Sequence, residues 1–351
     1  MPARRRRSPR SRGLRVAVLY NHDPDAPADV ADVEHAAADI EASLGEAGYR
    51  PTKVAVDGTA PLPALTRAIE ALVRARTELV FNLCEAVGGR SAHEPLVPHL
   101  LELAGLPYTG SGPLGLGLAL RKDRARRLLA GAGVPSAAGT QYDAVPRRAP
   151  PLTFPLFVKL AGEDASVGID AGSVVHDFHA LARRVDALLG RYTGPVLVEE
   201  FIPGREIYVS LVGPGPTALP PHEIDFSGMP AECPPIVTYA GKWDPASPES
   251  LGSQPVRARR LGRLGPELAA IARRAFAALG LCDYARVDFR VDVAGRPFVI
   301  DVNPNCDLSA GAGMARAARF GGWSHAELVD RICRSALARH GAARRGPRRA
   351  R

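Results

Sequence analysis

Four polar residues interrupt two apolar stretches near the C-terminus. Arg286 and Asp288 lie in YARVDFRVD (284–292), and Asp301 and Asn303 lie in RPFVIDVN (296–303). Both stretches read as strands, with Asp292–Gly295 as the hairpin turn between them. Residues i and i+2 of a strand point to one face. Arg286 therefore shares a face with Asp288, and Asp301 with Asn303. Pairing the two faces gathers two carboxylates, an amide oxygen and a guanidinium among Val287, Phe289, Val299, Ile300 and Val302. Buried carboxylates need a counter-charge or a metal. Two acids with an Asn suit Mg²⁺, a hard ion that keeps positions for water and phosphate oxygens. An ion pair between Arg286 and one aspartate satisfies the same argument, and these residues alone leave both readings open.

The lysines form a second group. The chain has four (Lys53, Lys122, Lys159, Lys242) against 41 arginines. Each lysine is then a candidate for chemistry that a planar guanidinium fits poorly. Lys159 sits in the apolar strand LFVKL (156–160), where a lysine is costly unless it meets an anion or snorkels from an edge to water. The loop Ala161–Gly168 that follows has two glycines and can offer backbone N–H groups to phosphates, a weak signal by itself. A third group is Glu199-Glu200-Phe201-Ile202 with Gly204-Arg205-Glu206. A strand ending in acids and an apolar pair can make a slot for a base beside a carboxylate for ribose hydroxyls. It is equally an ordinary strand end.

These groups need elements to hold them. Residues 14–20, 53–56 and 78–83 read as strands alternating with helices at 29–47, 62–76 and 94–104. That alternation argues a parallel sheet with helices on both faces over about residues 13–115. Beyond it the spacing predicts one helix over 116–132 and strands at 156–160, 173–175, 195–202 and 205–213, with a helix at 177–190. The stretch 214–262 is rich in Pro, Gly and Ser and poor in pattern, as a functional or disordered segment would be. A helix at 266–279 precedes the hairpin, and helices at 311–320 and 324–339 follow it. The class is α/β, with α+β character in the C-terminal part.

Composition excludes several classes. Hydrophobic residues are 46% and charged residues 23%, as in globular proteins, and aromatics at 6% do not suggest a stacking platform for nucleic-acid bases. No apolar run approaches the length of a membrane helix, so no membrane partner is expected. The net charge of +8 is smaller than the eleven arginines held in residues 1–12 and 341–351, so the body is mildly acidic. Both tails are expected to be solvated appendages, and a nucleic-acid contact would rest on them alone. Five scattered cysteines (Cys84, Cys233, Cys282, Cys306, Cys333) and the lack of a secretory pattern suit a reduced, cytoplasmic setting without structural zinc. His22 and His93 read as surface residues.

From about residue 78 to 335 the chain resembles the ATP-grasp ligases, most closely the D-alanine–D-alanine ligase group. The segments that carry the resemblance are LPYTGSGPLGLGLALRKD, PLFVKLAGEDASVGID, VLVEEFIPGREIYV, YAGKW and YARVDFRVDVAGRPFVIDVNPN, in that order. The resemblance implies an N-terminal domain over 13–115, a central ATP-grasp lobe over 116–210 and a C-terminal lobe over 211–340. It implies ATP as the nucleotide, with Lys122 and Lys159 on its phosphates, Glu199, Glu200, Phe201 and Ile202 beside adenine, and Glu206 on the ribose. Asp288, Asp301 and Asn303 would bind two Mg²⁺ ions, with Mn²⁺ able to replace them. Lys242 would cover the γ-phosphate, Arg286 would stabilise the acyl-transfer intermediate, and Ser166 would belong to the lid over the triphosphate and its substrate network. The implied reaction joins a small carboxylate to a small amine through an acylphosphate. A homodimer is implied as well.

The departures fall on the amino-acid side. The family's Gly-Gly-x-Ser-x-Glu segment is replaced by Tyr20-Asn21-His22-Asp23-Pro24, and its His-Gly-x-x-Gly-Glu-Asp-Gly segment by Cys84-Glu85-Ala86-Val87-Gly88-Gly89. A lid serine is Ala165, a glutamate ligand is Asp301, and a Pro-Gly turn reads Pro304-Asn305-Cys306-Asp307. These changes imply substrates other than two D-alanines, with Glu85, Arg90 and Ser309 as substrate-side candidates. A genuine D-alanine–D-alanine ligase is the alternative. A regulatory ATP-binding protein without turnover is a third reading, disfavoured because binding alone does not need Arg286.

Overall fold

The computed structural model describes residues 13–22, 28–163 and 165–344. The first tail, Asp23-Pro24 and Asp164 of the expected lid lie outside those residues. So does the second tail beyond Arg344; its residues 341–344 continue the last helix rather than forming part of an appendage.

The N-terminal part alternates strand and helix. Strand β1 (Arg15–His22) leads to α1 (Ala28–Ala47), β2 (Arg50–Asp57), α2 (Pro61–Arg74), β3 (Leu79–Asn82) and α3 (Leu96–Leu103). The strands pair in parallel in the order β2-β1-β3, with Val18 opposite both Lys53 and Phe81. Ala17 and Leu19 of β1 face Leu65, Leu72 and Leu101 of α2 and α3, while Val16 and Val18 face Ile40 and Leu44 of α1. Both faces are covered, as strand–helix alternation requires.

The single helix expected over 116–132 is two: α4 (Pro113–Leu120) and α5 (Lys122–Gly131), broken at Arg121. PLGLGLAL is apolar all round and is packed closely, with a Cβ at Gly115 meeting the Gly280 carbonyl at 3.3 Å. KDRARRLLAG is amphipathic, so the two segments cannot share one buried stripe. The break puts Lys122 at the start of α5, where its backbone N–H donates to Ala161 (3.2 Å).

The central lobe is antiparallel. It contains β4 (Gly139–Tyr142), β5 (Leu156–Leu160), β6 (Val174–Val175), α6 (Phe178–Arg191) and β7 (Val196–Glu200), in the sheet order β4-β7-β5-β6. Leu156, Val158, Leu160, Val196 and Val198 pack on Leu181, Val185 and Leu188 of α6. The opposite face carries Phe157, Lys159 and Glu199, as the period of two demands.

The C-terminal lobe holds β8 (Gly204–Val212), β9 (Thr217–Ala218), β10 (His222–Asp225), α7 (Tyr239–Trp243), α8 (Pro248–Gly252), β11 (Gln254–Arg257), α9 (Leu264–Ala278), β12 (Tyr284–Asp292) and β13 (Pro297–Asn303). Its sheet runs β11-β10-β8-β12-β13, with β9 on β8. The stretch 214–262 is thus not patternless, since it supplies three strands and two short helices. Gly204 opens β8 at φ +139, and a Cβ there would stand 2.1 Å from the Val291 carbonyl oxygen, so only glycine permits this pairing. Helix α9 lays Leu268, Ile271 and Phe276 on the sheet, each side chain contributing roughly 1.5–3 kcal/mol by burial. After β13, α10 (Gly313–Phe320) and α11 (His325–Arg344) return to the first domain, where Leu328, Val329 and Ile332 close the core beneath β1.

Candidate active site

The C-terminal sheet arranges its polar residues in rows. Cross-strand register places His222 opposite Tyr208, Tyr208 opposite Asp288, and Asp288 opposite Asp301. The neighbouring rows are Ile224–Glu206–Arg290 and Ser210–Arg286–Asn303. Directly paired residues share a face. That face is one wall of a cavity of about 400 Å³, whose other wall is the Phe157, Lys159 and Glu199 face of the central lobe. The hairpin expected at 284–303 is present, and a register shift after Asp288 moves only the residues beyond it.

All predicted nucleotide-side residues line this cavity: Lys122, Lys159 and Lys242, the run Glu199–Ile202, and Glu206. Three of the four lysines thus meet there, while Lys53 stands elsewhere, 4.0 Å from Glu41. Lys159 is buried at 7% exposure, bonded to Glu199 Oε2 (2.9 Å) and to the Ile300 carbonyl (3.1 Å). It is an interior lysine matched by a carboxylate, not a snorkelling edge residue. Arg126 Nε lies 3.3 Å from the other oxygen of Glu199. Lys122 Nζ donates to the Glu163 carbonyl (2.7 Å) and stands 3.8 Å from Asp301. Glu200 accepts from the Thr153 amide (2.8 Å). Phe157, Ile202, Ile236 and Ile300 supply apolar walls.

Arg286 and Asp288 form the ion pair that their spacing left open, with Nε–Oδ1 2.7 Å and Nη2–Oδ2 2.8 Å. Burial opposes both charges. It raises Asp288 despite Arg286, whereas Arg286 is held well above its usual range by Asp288. Burial also opposes the charge of Asp301, yet Lys122 and Lys159 hold its carboxyl below the usual range. The donor set of Asp288, Asp301 and Asn303 fits a hard divalent ion. The two carboxylates face each other across the hairpin, and each paired oxygen retains a lone pair. Glu206 is buried, with the Tyr208 hydroxyl on Oε1 and Arg290 Nη1 on Oε2 (2.9 Å).

Two segments meet over the cavity. Ser166 lines it, and its hydroxyl donates to the Val237 carbonyl (3.3 Å). Trp243 Nε1 donates to Ala165 (3.0 Å), the Tyr239 amide donates to Ile169 (2.9 Å), and Lys242 Nζ stands 4.7 Å from the Trp243 ring centre. Ala165 and Ser166 both have positive φ (56 and 62), a conformation costly for residues with a Cβ.

A second cavity of about 200 Å³ adjoins the first and shares Arg286, Asn303, Lys242 and Glu163 with it. It opens between the C-terminal ends of β1 and β3 and the turn after β13, lined by Asn21, Glu85, Glu94, Asn305, Cys306 and Asp307. Of the substrate-side candidates, Glu85 lines it. Arg90 is exposed and Ser309 is buried against Asp307, its amide donating to Oδ1 (2.7 Å); neither lines either cavity. His22 pairs with Glu34 (3.1 Å) and His93 with the Val87 carbonyl (2.9 Å), away from both.

Several lining residues escaped the sequence reading. Arg290 anchors Glu206 and lies 5.0 Å from the Phe201 ring centre. Its signal was present, since it continues the i, i+2 series from Arg286 and Asp288. Tyr208 and His222 belong to strands whose neighbours the sequence does not name. Glu94 and Asn305, bonded to each other at 2.8 Å, are 211 residues apart.

The family described as D-ala D-ala ligase C-terminus matches residues 138–334. An uncharacterized protein of Sinorhizobium fredii is 34% identical over 300 residues, 84% of each chain. A D-alanine–D-alanine ligase of Syntrophotalea carbinolica is 34% identical over 259 residues, 72% of this chain and 78% of that one. Among solved structures, D-alanine–D-alanine ligase from Bacillus anthracis complexed with ATP superposes with a TM-score of 0.75 at 19% identity, covering 94% of this chain and 100% of that chain. The ligase of Coxiella burnetii gives 0.72, also at 19%, covering 95% and 97%. The chain therefore belongs to the D-alanine–D-alanine ligase family and is an ATP-grasp ligase.

Proposed function

We propose that the protein is an ATP-dependent carboxylate–amine ligase that makes an amide between small amino-acid-like substrates other than a pair of D-alanines. The observation that carries this reading is the junction of the two cavities. The larger gathers Lys122, Lys159 and Lys242; the smaller is lined by carboxylates and amides; Arg286 and Asn303 stand in both. ATP fits the larger cavity, with adenine between the apolar walls and its phosphates toward the lysines. Asp288, Asp301 and Asn303 would hold Mg²⁺, as one ion or two, or Mn²⁺ in its place. The metal supplies charge neutralisation on the transferring phosphoryl group.

In the first step a substrate carboxylate oxygen attacks the γ-phosphorus, the bond to ADP breaks, and an acylphosphate forms. In the second an amine nitrogen attacks the acyl carbon, phosphate leaves, and the amine gives up a proton. Lys122 and Lys159 bind phosphate charge. Arg286 faces the developing oxyanion, where losing one donor costs on the order of 10²–10³ in rate. The clasp between Ala165–Ser166 and Val237–Trp243 excludes water from the acylphosphate. The altered amino-acid segments support other substrates, since Asn21, Glu85, Ala165 and Asn305–Asp307 all line the smaller cavity. The identity with relatives named D-alanine–D-alanine ligase favours the second reading, that D-alanine is the substrate.

The test is ADP release with Mg-ATP over a grid of carboxylates and amines, D-alanine included, with Asp288→Asn as the blank. Turnover requiring one acid and one amine, lost in the variant, is the expected result. Turnover with D-alanine alone would overturn the substrate assignment, and tight ATP binding without turnover on any pair would favour a regulatory role. All five cysteines are free, which supports a cytoplasmic setting. The homodimer rests on the resemblance and is read by light scattering on the same preparation.

A further inference from the structure

Asn21, the penultimate residue of β1, stands in the wall of the smaller cavity, where the resemblance expects a glycine-rich segment. Its side chain is 3% exposed. Oδ1 accepts from the Glu85 amide (3.1 Å), and this bond fixes which way the amide faces. Nδ2 hydrogen-bonds to nothing among the described residues. A buried amide donor without a partner is costly, and a ligand oxygen would relieve it. The same cavity is lined by Glu85, Glu94 and Asp307, with the cations Arg286 and Lys242 at its junction with the larger cavity. Glu94 accepts from Asn305 (2.8 Å) and Asp307 from the Ser309 amide (2.7 Å) and hydroxyl (3.2 Å). These donors are all neutral. The thiol of Cys306 in the same wall is pushed up to about 12, first by burial, with Asp307 and Glu85 adding to it against Arg286. It is a neutral wall rather than a nucleophile.

Resting on the ligase reading, we infer that Asn21 is a specificity-determining residue. Nδ2 donates to an oxygen of a small amino acid bound in the smaller cavity, while Glu85 and Asp307 select for an ammonium group on that molecule and against a second carboxylate. A cavity of about 200 Å³ admits a molecule the size of alanine or 2,3-diaminopropionate.

The test is calorimetric titration of the full chain, saturated with Mg²⁺ and a non-hydrolysable ATP analogue. The probes are alanine, 2,3-diaminopropionate, aspartate and propionate, each chiral one in both enantiomers. Alanine or 2,3-diaminopropionate should bind at least tenfold more tightly than aspartate and propionate. Asn21→Asp keeps the acceptor for the Glu85 amide, removes the donor and sets a carboxylate against the ligand oxygen, and Asn21→Leu removes both donor and acceptor. Each should weaken the bound probe roughly ten- to a hundredfold while the analogue binds as before. Aspartate or propionate binding as tightly as alanine would overturn the inference. So would wild-type affinity in Asn21→Asp, or no probe binding to the wild type. The expected pattern with no ADP release from any pair would refute the ligase reading alone; ADP release with an unchanged KM in Asn21→Asp would refute the specificity assignment alone.

Discussion

His222 turns the row of the C-terminal sheet into a measurable pH dependence. The ring is buried at 2% exposure, edge-on to Tyr208 with centroids 5.0 Å apart, and Nδ1 has no partner among the described residues. Burial first, then Arg286 and Arg316, lower its pKa from 6.5 to about 3. The folded protein therefore keeps this imidazole neutral at pH 5, where an unfolded chain protonates it. A base depressed in the folded state contributes stability that is present above pH 6.5 and declines as pH falls toward 3. Between pH 7 and pH 5 only the unfolded chain takes up this proton, over about 1.5 pH units below 6.5 at 1.36 kcal/mol per unit, so His222 alone removes about 2 kcal/mol. Urea unfolding of the wild type and His222→Phe at both pH values isolates that amount, because every other group titrates in both proteins. The phenyl ring keeps the edge contact with Tyr208; His222→Gln serves if Phe does not fit beside Gly313, where the imidazole fills the space of a side chain. The wild type should lose about 2 kcal/mol more than the variant. Parallel losses, within about 0.5 kcal/mol, would refute the reasoning.

Three further outcomes follow from single contacts. Gly139→Ala drives a Cβ to within 2.6 Å of the Val198 carbonyl oxygen and 2.9 Å of Glu199 Cγ, so the melting temperature should fall with a loss of about 1–3 kcal/mol and the KM for ATP should rise. An unchanged melting curve would show that β4 yields. Trp243→Phe removes the bond to Ala165, so ADP release without amide product should rise while nucleotide affinity stays close to wild type; full coupling would show that the clasp does not guard the intermediate. Asp283, at φ +63, accepts from Gly110, Ser335 and Arg339. Asn tolerates that φ but leaves Arg339 without its carboxylate (2.8 Å), so Asp283→Asn should cost roughly 3 kcal/mol in chemical unfolding.

What the sequence made legible was local. Arg286 with Asp288 and Asp301 with Asn303 lie two apart, and a four-residue turn joins their strands, so periodicity alone brings them together. LFVKL is a strand from end to end because its short apolar run has no competing signal. β4, with the sequence Gly-Thr-Gln-Tyr, escaped because an edge strand half-buried on both faces shows no alternation. β10 and β11 escaped for a related reason: His-Glu-Ile-Asp and Gln-Pro-Val-Arg are short and polar, and they are strands because β8 offers an edge. The order β11-β10-β8-β12-β13 is the information that no local window contains. It decides that Tyr208 and His222 share the cavity with Asp288, and that Arg290 rather than water meets Glu206.

The same order explains how so many charges share one interior. Three acids of the site stand beside cations that a phosphate or oxyanion would also attract: Asp288 beside Arg286, Asp301 beside Lys122, Glu199 beside Lys159. An unmatched buried charge costs several kcal/mol, so the resting chain is stable only with these pairs formed. An anionic substrate entering the cavity competes for the cations and leaves the acids to be matched anew. Lys159 is the least free to exchange, with Glu199 and the Ile300 carbonyl both bonded to it, and Arg126 stands ready on the far oxygen of Glu199. Arg286 is the most consequential, because its partner Asp288 is itself an acid that burial pushes toward protonation. On the proposed ligase reading the pair is therefore not an alternative to chemistry at this site. It keeps a buried guanidinium and a buried carboxyl matched until an anionic substrate divides them.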